Sequence, residues 1–346
     1  MPSPTLVVIL LILLTGCSVE QDGRSELQRP ATFAGAEVDG PIVVTHGGAG
    51  SPSTWSDLTQ SASAAAGRSL ARGETALEAA VTGTEVMENI AVFNAGTGAN
   101  IRLDGKTIQM DAALMTSDGD FAAVAVIERV KNPIRVAQAV QATPHRMLAG
   151  EGATRFAHAM GFEDVVPTCP EAEAKWRQRM ARLLRGEAGG GYDTFDWRAA
   201  WNFPGPVLSP ADTLVDDPVV GDTVGTVVRH ADGSFAATLS TGGTSITLDG
   251  RVGDVPIYGC GCYAGPAGAV ACTGHGEEII RQGLAREIYS LMESGLSAQE
   301  AIRVGIEDFD ESWTVGVIAV GVDGWGVGAN TSMAYGVDLV EMRPGR

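Results

Sequence analysis

Basic residues are scarce in this chain: 24 Lys and Arg stand against 42 Asp and Glu, and the formal net charge is −18 over 346 residues. Such an acidic surface repels phosphates, which argues against nucleic acid and anionic membrane surfaces as partners. An acidic small molecule would need a local cation. The five cysteines and five histidines are scattered without zinc-like spacing. We therefore predict buried thiols and neither a metal nor a cofactor, and leave open whether a disulfide forms.

Long hydrophobic runs are also missing. The apolar run Leu6–Leu14 is too short to span a bilayer and suits the core of a signal peptide. It ends in "LTGC", which resembles the lipidation box of bacterial lipoproteins, although no Lys or Arg precedes it. We predict a lipoprotein-type signal over residues 1–17, lipidated at Cys17, and a linker over residues 18–40. The protein would be exported to the periplasm or cell envelope and touch the membrane only through a lipid anchor. An ordinary cleaved signal or a buried strand is the alternative.

The rest of the chain is typical of a packed domain, with 45% hydrophobic residues and 45 glycines. We predict one domain over residues 41–346. Pro41–Gly50 has the pattern of a buried strand, and the apolar stripe after Gly276 predicts one long helix. The order of predicted elements suits sheets sandwiched between helix layers. Residues 187–222, rich in Gly, Pro and Asp, are predicted to be a mobile tail.

A hairpin follows that tail. Two β-branched runs flank a "DG" turn near Asp232, a strong hairpin signal. Thr223 lies as far before this turn as Thr241 lies after it, so antiparallel pairing brings the two side by side. The sequence therefore predicts two neighbouring Thr hydroxyls.

A Thr hydroxyl is a weak nucleophile unless a base accepts its proton, and a free α-amine on the same residue can do so. That amine has an ordinary pKa of about 7.7–8.0. The chemistry requires the bond between Asp222 and Thr223 to be cut, and Asp222 could accept a proton during self-cleavage. The alternative is an ordinary strand start after a Gly-Asp turn.

Two further groups fit the same chemistry. Thr273 and Gly274 stand where a strand runs into a helix, so a hydroxyl and a backbone N–H can stabilise an oxyanion. Arg251 and Asp254, three residues apart, match the carboxylate and ammonium of an α-amino acid. A strand–helix turn and a surface ion pair are the plain alternatives.

In this order the motifs resemble threonine-type N-terminal-nucleophile hydrolases, a family that includes plant-type L-asparaginases, isoaspartyl peptidases and glycosylasparaginases. The resemblance covers about residues 41–336. It rests on "HGGAG", "FNAGTG", "MDAALM", "KNPI", "GEGA", "DTVGTVV", "STGG", "GRVGD", "GCYA" and "CTGHGE".

The resemblance implies an α+β fold, an αββα sandwich with two stacked, mainly antiparallel sheets between helix layers. It implies self-cleavage into chains 41–222 and 223–346 and a dimer of such αβ units. The implied catalytic residues are Thr223, Thr241, Thr273 and Gly274. The implied substrate-binding residues are Arg251, Asp254, Gly276 and Asn94. Some family members hold sodium on a loop that maps near Met87–Phe93, but "MENIAVF" matches that loop only loosely, and we predict no metal.

The expected activity is hydrolysis of L-asparagine and β-aspartyl dipeptides, with a small molecule or dipeptide as the partner. The cut at Asp222-Thr223 is instead typical of glycosylasparaginases, which are the alternative, although "STGG" favours the asparaginase branch. His275 stands where the family usually has Thr or Asn. An alternative from another class is a non-catalytic lipoprotein that binds amino acids or peptides.

Overall fold

The computed structural model describes residues 31–189, 191–207, 222–307, 309–310 and 312–341. The predicted signal segment 1–17, with Cys17, lies outside these residues. Residues 18–30 of the predicted linker and residues 208–221 of the predicted tail do so as well. Among the described helices, none is long and apolar enough to cross a membrane.

The described chain alternates strands and helices. The strands are β1 (Thr32–Glu37), β2 (Ile42–Ala49), β3 (Met110–Thr116), β4 (Phe121–Ile127), β5 (Met147–Ala149), β6 (Val224–Arg229), β7 (Phe235–Thr241), β8 (Cys262–Gly265), β9 (Gly268–Gly274), β10 (Val315–Gly321), β11 (Gly324–Ala329) and β12 (Met333–Leu339). The helices are α1 (Ser56–Ala71), α2 (Ala76–Glu88), α3 (Pro133–Gln141), α4 (Gly150–Ala159), α5 (Pro170–Arg185), α6 (Gly276–Gln282), α7 (Leu284–Glu293) and α8 (Ala298–Glu307).

These strands form two sheets. The larger has the order β12-β2-β6-β7-β3-β4-β5 and the smaller the order β1-β11-β10-β9-β8. Neighbouring strands are antiparallel except β4 and β5. Residues such as Ile42, Val227 and Ile318 fill the space between the sheets. This confirms the predicted pair of stacked, mainly antiparallel sheets.

Helices cover both outer faces. Val43 and Val228 of the larger sheet pack on Leu70 of α1 and Ala79 of α2. Val317 of the smaller sheet belongs to a cluster with residues of α7 and α8. The αββα layering is therefore present, as expected from amphipathic helices that bury one stripe against a sheet.

Two predicted boundaries are wrong. Thr32–Glu37 lies within the predicted linker, yet it forms β1 and pairs antiparallel with β11. The backbone hydrogen bonds of an edge strand need no strongly apolar sequence. The single helix predicted after Gly276 is two helices, because Gly283 adopts a left-handed conformation with φ of 64° and ends α6.

The predicted mobile tail is irregular in its described part, but it does not extend away from the domain. Trp197 and Phe203 are only 5% and 6% exposed and pack with Met180 and Leu183 of α5 and with Ile246. These two aromatic side chains therefore anchor this part of the tail on the domain, and its mobility stays a prediction. The signal was available in the aromatic residues between 192 and 203, which can bury large apolar areas.

Candidate active site

Thr223 directly precedes β6, and Thr241 ends β7. The ladder of this hairpin pairs Val224 with Ser240, so its next step brings the two threonines together. Their Oγ1 atoms lie 3.2 Å apart, and the side chains are nearly buried. The adjacency predicted from the "DG" turn is confirmed.

Asp222 lies on the other side of Thr223 and contacts it directly. Its Oδ1 accepts hydrogen bonds from the Thr223 N–H at 2.7 Å and from Thr223 Oγ1 at 3.3 Å. Burial raises the pKa of Asp222, although these hydrogen bonds oppose the shift. A carboxylate of raised pKa beside the hydroxyl is a suitable proton acceptor.

The glycine-rich end of β2 lies against this junction. Gly48 has φ of 99°, and a Cβ there would lie 2.5 Å from the Cβ of Asp222. Any side chain would therefore strain the backbone and displace Asp222. The next residue, Ala49, donates its N–H to Thr273 Oγ1 at 3.2 Å. The end of β2 thus connects the Asp222–Thr223 junction with Thr273.

Thr273 and Gly274 end β9, as the predicted strand-to-helix transition requires. Thr273 is fully buried, and Gly274 lines the same cavity as Asp222. His275 follows at the N-cap of α6 and Gly276 begins that helix. A buried hydroxyl therefore lies two residues before the N-cap of a helix, which is the arrangement that the sequence predicted for an oxyanion site.

Arg251 and Asp254 lie on the loop after β7 and meet around Gly276. A Cβ on Gly276 would lie 3.0 Å from Arg251 Nη2 and 2.9 Å from Asp254 Oδ1. A cation, an anion and a residue without a side chain therefore border one space. Asp254 is 4% exposed, so a simple surface pair does not describe it.

Asp254 is electrostatically unusual. Its Oδ2 has no hydrogen-bond partner among the described residues. Burial raises its pKa to about 8, although the Arg251 charge opposes the shift. A buried carboxylate with an open lone pair can be stabilised by an incoming ammonium group.

Arg251 has a partner that the sequence did not suggest. Its Nε lies 3.1 Å and its Nη2 2.9 Å from Glu277 Oε1, and Nη2 lies 2.9 Å from Oε2. The Glu277 side chain is 54% exposed and that of Arg251 is 15% exposed. One edge of the guanidinium thus holds a carboxylate of the protein itself.

Asn94 supports the turn after Thr241. Its Nδ2 donates to the Gly243 carbonyl at 2.8 Å, and its Oδ1 accepts from the Asn100 N–H at 2.8 Å. Asn94 also lines the cavity. Its hydrogen bonds to the backbone indicate that it positions this turn, next to the paired hydroxyls.

His275 also faces the cavity, and its ring stacks on Trp313 with centroids 3.8 Å apart and planes at 31°. Burial lowers the pKa of His275, although Glu277 opposes the shift. His46 is fully buried, and burial lowers its pKa to about 3. A neutral His46 at physiological pH agrees with a structural role.

The cavity between these groups has a volume of about 810 Å³. Its wall includes Asn94, Lys175, Arg179, Tyr192, Phe195, Asp222, Arg251, Gly274, His275, Glu277 and Trp313. The size suits a small molecule or dipeptide.

Comparison with known proteins decides the family. A family model described as asparaginase, Asparaginase_2, matches residues 39–338.

The chain belongs to this asparaginase family. It is 36% identical over 290 residues to the plant-type L-asparaginase of Pyrococcus abyssi, covering 80% of this chain and 89% of that protein. It is 37% identical over 238 residues to the isoaspartyl peptidase of Escherichia coli, covering 67% and 68%. It is 34% identical over 278 residues to the isoaspartyl peptidase/L-asparaginase of Danio rerio, covering 75% and 79%.

The Met87–Phe93 loop is the place in this asparaginase-family chain to which the sodium site of some family members maps. The Ala91 carbonyl accepts from Cys169 Sγ at 3.8 Å, and the Phe93 carbonyl accepts from the Ala95 N–H at 2.9 Å. Two of the carbonyl oxygens of this loop therefore already accept a hydrogen bond from the protein. Among the described residues, no cluster of three or more His, Cys, Asp or Glu could hold a metal.

Sequence reasoning missed several residues that border the site: Arg102, Lys175, Arg179, Glu277 and Trp313. Arg102 is fully buried and donates to the Arg251 carbonyl at 3.1 Å and to Thr247 Oγ1 at 2.5 Å. Burial lowers its pKa to about 10. Arg102 stands between Ile101 and Leu103, and this local pattern does not indicate a place beside the site. A charged residue within an apolar segment does indicate that it has a buried partner, because unpaired charges are almost never fully buried.

Proposed function

We propose that this chain is a self-processing amidohydrolase that releases L-aspartate from L-asparagine and from β-aspartyl dipeptides. The observation that carries the proposal is the pair of hydroxyls on Thr223 and Thr241, 3.2 Å apart at the head of the hairpin. Membership of the asparaginase family and relatives named plant-type L-asparaginase and isoaspartyl peptidase support it.

Processing would start at the Asp222–Thr223 bond. Asp222 takes the proton of the Thr223 hydroxyl, whose oxygen attacks the Asp222 carbonyl carbon. The C–N bond breaks, the nitrogen takes up a proton, and an ester joins the two residues. Water hydrolyses this ester and leaves a carboxylate on Asp222 and a free α-amine on Thr223. The 2.7 and 3.3 Å contacts of Asp222 Oδ1 support this choice of base.

Substrate hydrolysis would then use the new amine. It accepts the hydroxyl proton while Thr223 Oγ1 attacks the side-chain amide carbonyl, and Thr273 and Gly274 stabilise the oxyanion. The leaving ammonia or amino acid takes the proton, and water resolves the β-aspartyl ester to L-aspartate. Arg251 would bind the substrate α-carboxylate and Asp254 its ammonium.

The test is the Thr223→Ala variant, analysed by denaturing mass spectrometry and by L-aspartate release. We expect wild-type protein in two pieces cut after residue 222, and an uncut, inactive variant. Thr226→Ala is a matched control, because Thr226 is a buried Thr of the same strand whose Oγ1 bonds Thr84, away from the junction. A Thr223→Ala protein that is still cut at this bond would contradict the mechanism.

Two other functions give different results. A glycosylasparaginase would hydrolyse glycosylated asparagine in preference to β-aspartyl dipeptides, but the relatives named above carry plant-type L-asparaginase and isoaspartyl peptidase names. A non-catalytic binder would bind aspartate on an intact chain without turnover. One preparation is assayed with L-asparagine, a β-aspartyl dipeptide and a glycosylated asparagine. The substrate that it hydrolyses fastest, or the absence of any turnover, separates these outcomes.

We also propose export through residues 1–17, lipidation at Cys17 and a dimer of αβ units. The apolar run and "LTGC" support export and lipidation. Intact mass should show loss of residues before Cys17 and a lipid adduct, and Cys17→Ser should abolish both. Light scattering should give the mass of two αβ units. An unmodified N terminus, or the mass of one unit, would reject the corresponding part.

A further inference from the structure

Arg102 is fully buried, and it is not among the described residues that line the active-site cavity. Its guanidinium donates to three uncharged oxygens, which are Thr247 Oγ1 at 2.5 Å and the carbonyls of Gln109 and Arg251 at 3.2 and 3.1 Å. Burying a charge against uncharged partners is costly, because the interior solvates the charge less well than water does. Costly arrangements of this kind are expected where they serve a functional site.

The contacts of Arg102 converge on one stretch of chain. Two of the acceptors, Thr247 and Arg251, belong to residues 243–251, which we call the substrate segment. One rigid guanidinium therefore holds the middle and the end of this segment at once. The third acceptor, Gln109, directly precedes β3. Arg102 thus connects the substrate segment with the larger sheet.

The substrate segment is strained at Ile246. This residue is 4% exposed and has φ of 59°, in the left-handed region. A β-branched side chain is an outlier in that region, and such a conformation persists only where surrounding contacts impose it. The Ile246 N–H donates to the carbonyl of Ile101, the residue before Arg102, at 3.3 Å. Without the contacts of Arg102, we expect the segment to relax and Arg251 to move with it.

The guanidinium groups of Arg102 and Arg251 flank Gly243, close to the paired hydroxyls. A Cβ on Gly243 would lie 2.9 Å from Arg102 Nη1 and 3.4 Å from Arg251 Nη1. The Gly243 N–H donates to Thr241 Oγ1 at 3.0 Å, and this oxygen lies 3.2 Å from Thr223 Oγ1. Gly243 therefore separates the two arginines and is itself bonded to the hydroxyl pair.

Asp111 offsets the repulsion between the two arginines. It is fully buried on β3, opposite Thr241 in the ladder with β7. Burial raises the pKa of Asp111, and the attraction of Arg102 and Arg251 opposes that shift. With this carboxylate nearby, Arg102 adds positive potential beside Arg251 and so favours a carboxylate ligand there.

We propose that Arg102 is a positioning residue, which holds the substrate segment in its strained path and so presents Arg251 to the α-carboxylate of the substrate. This inference rests on the proposed function, in which Arg251 binds that carboxylate. Because Arg102 lies outside the cavity, its loss should weaken substrate binding and leave the chemical step unchanged.

The test is the Arg102→Met variant, which removes the charge and all three hydrogen bonds but keeps an unbranched side chain. We expect KM for L-asparagine and the inhibition constant of L-aspartate to rise about tenfold, the scale of one hydrogen bond to a charged group. kcat should stay at the wild-type value. Arg102→Lys keeps the charge without the fork, so its KM should rise only about threefold.

Arg229→Met is the matched control. Arg229 is also a buried arginine, at the opposite end of β6 from Thr223. Its guanidinium donates to the carbonyls of Val38, Gly40, Gly321 and Val322. The control therefore removes a buried guanidinium bonded to main-chain oxygens away from the substrate segment. Its thermal stability should fall, but its KM should stay at the wild-type value.

Scission is first checked by denaturing mass spectrometry, and rates are expressed per cleaved enzyme. An unchanged inhibition constant in Arg102→Met, a loss confined to kcat, or an equal rise of KM in Arg229→Met would overturn the inference and leave the proposed function intact. If Arg102→Met stays uncut, Arg102→Lys carries the test, and a wild-type KM in that variant would overturn the inference. A wild-type enzyme that releases no L-aspartate would reject the proposed function itself, and the inference with it.

Discussion

Replacing Glu277 by glutamine tests whether the protein's own carboxylate competes with the substrate for Arg251. Glu277 occupies the Nε and Nη2 edge of that guanidinium through contacts of 2.9–3.1 Å. This is the bidentate geometry that a substrate carboxylate would use. If the substrate must displace Glu277, removing its charge strengthens substrate binding.

The size of the effect follows from exposure. The Glu277 side chain is 54% exposed, so solvent screens the pair and its displacement costs about 1 kcal/mol. Glu277→Gln should then lower KM about fivefold for L-asparagine and β-Asp-Leu, because 1.4 kcal/mol corresponds to tenfold. The inhibition constant of L-aspartate should fall by the same factor. kcat should change little, because Glu277 contacts Arg251 and not the reacting hydroxyls.

Steady-state kinetics on the cleaved enzyme, with L-aspartate as competitive inhibitor, measure these quantities. Glu278→Gln is the matched control, because Glu278 is the adjacent residue and pairs with Arg281 instead. It removes the same formal charge without freeing Arg251. A rise in KM for Glu277→Gln would refute the reasoning, since it would mean that Glu277 holds Arg251 in its binding position.

Three further predictions use the same geometry. The pKa of Asp254 is about 8, and only its carboxylate form binds the substrate ammonium. KM should therefore fall as pH rises through 8. An analogue without the α-ammonium should not show this fall. Gly48→Ala should prevent scission. The positive φ of this position costs an alanine about 1–2 kcal/mol, and the new Cβ would lie 2.5 Å from Asp222 Cβ. Normal cleavage kinetics, followed by gel, would contradict this prediction. Arg251→Lys should raise KM about tenfold, because the bidentate fork is lost; unchanged kinetics would exclude Arg251 from the substrate site.

Local patterns predicted much of the fold and part of the site. The end of α5 at Gly186, the buried strand β2 and the pairing of Thr223 with Thr241 all follow from short-range signals. β1 was missed because an edge strand is held by backbone pairing with β11, whose sequence is distant. The catalytic and binding roles assigned to the site residues remain predictions.

Long-range contacts account for the residues that sequence reasoning overlooked. Glu277 has the pattern of an acidic first-turn residue that favours the helix dipole, and nothing local indicates that it faces Arg251, 26 residues earlier. Lys175 and Arg179 have the pattern of a solvated helix face, yet α5 packs so that both side chains line the cavity. Asp254 has the pattern of a surface turn residue, yet the fold buries it.

The amino-acid sequence by itself determined the hairpin that sets two hydroxyls side by side, because antiparallel pairing about a tight turn depends only on residues close in the chain. Only the tertiary structure decided which charges surround that pair. Burial and charge pairing arise when distant segments pack together. That packing placed Glu277, Lys175 and Arg179 in the wall of one cavity and buried Asp254 beside Gly276.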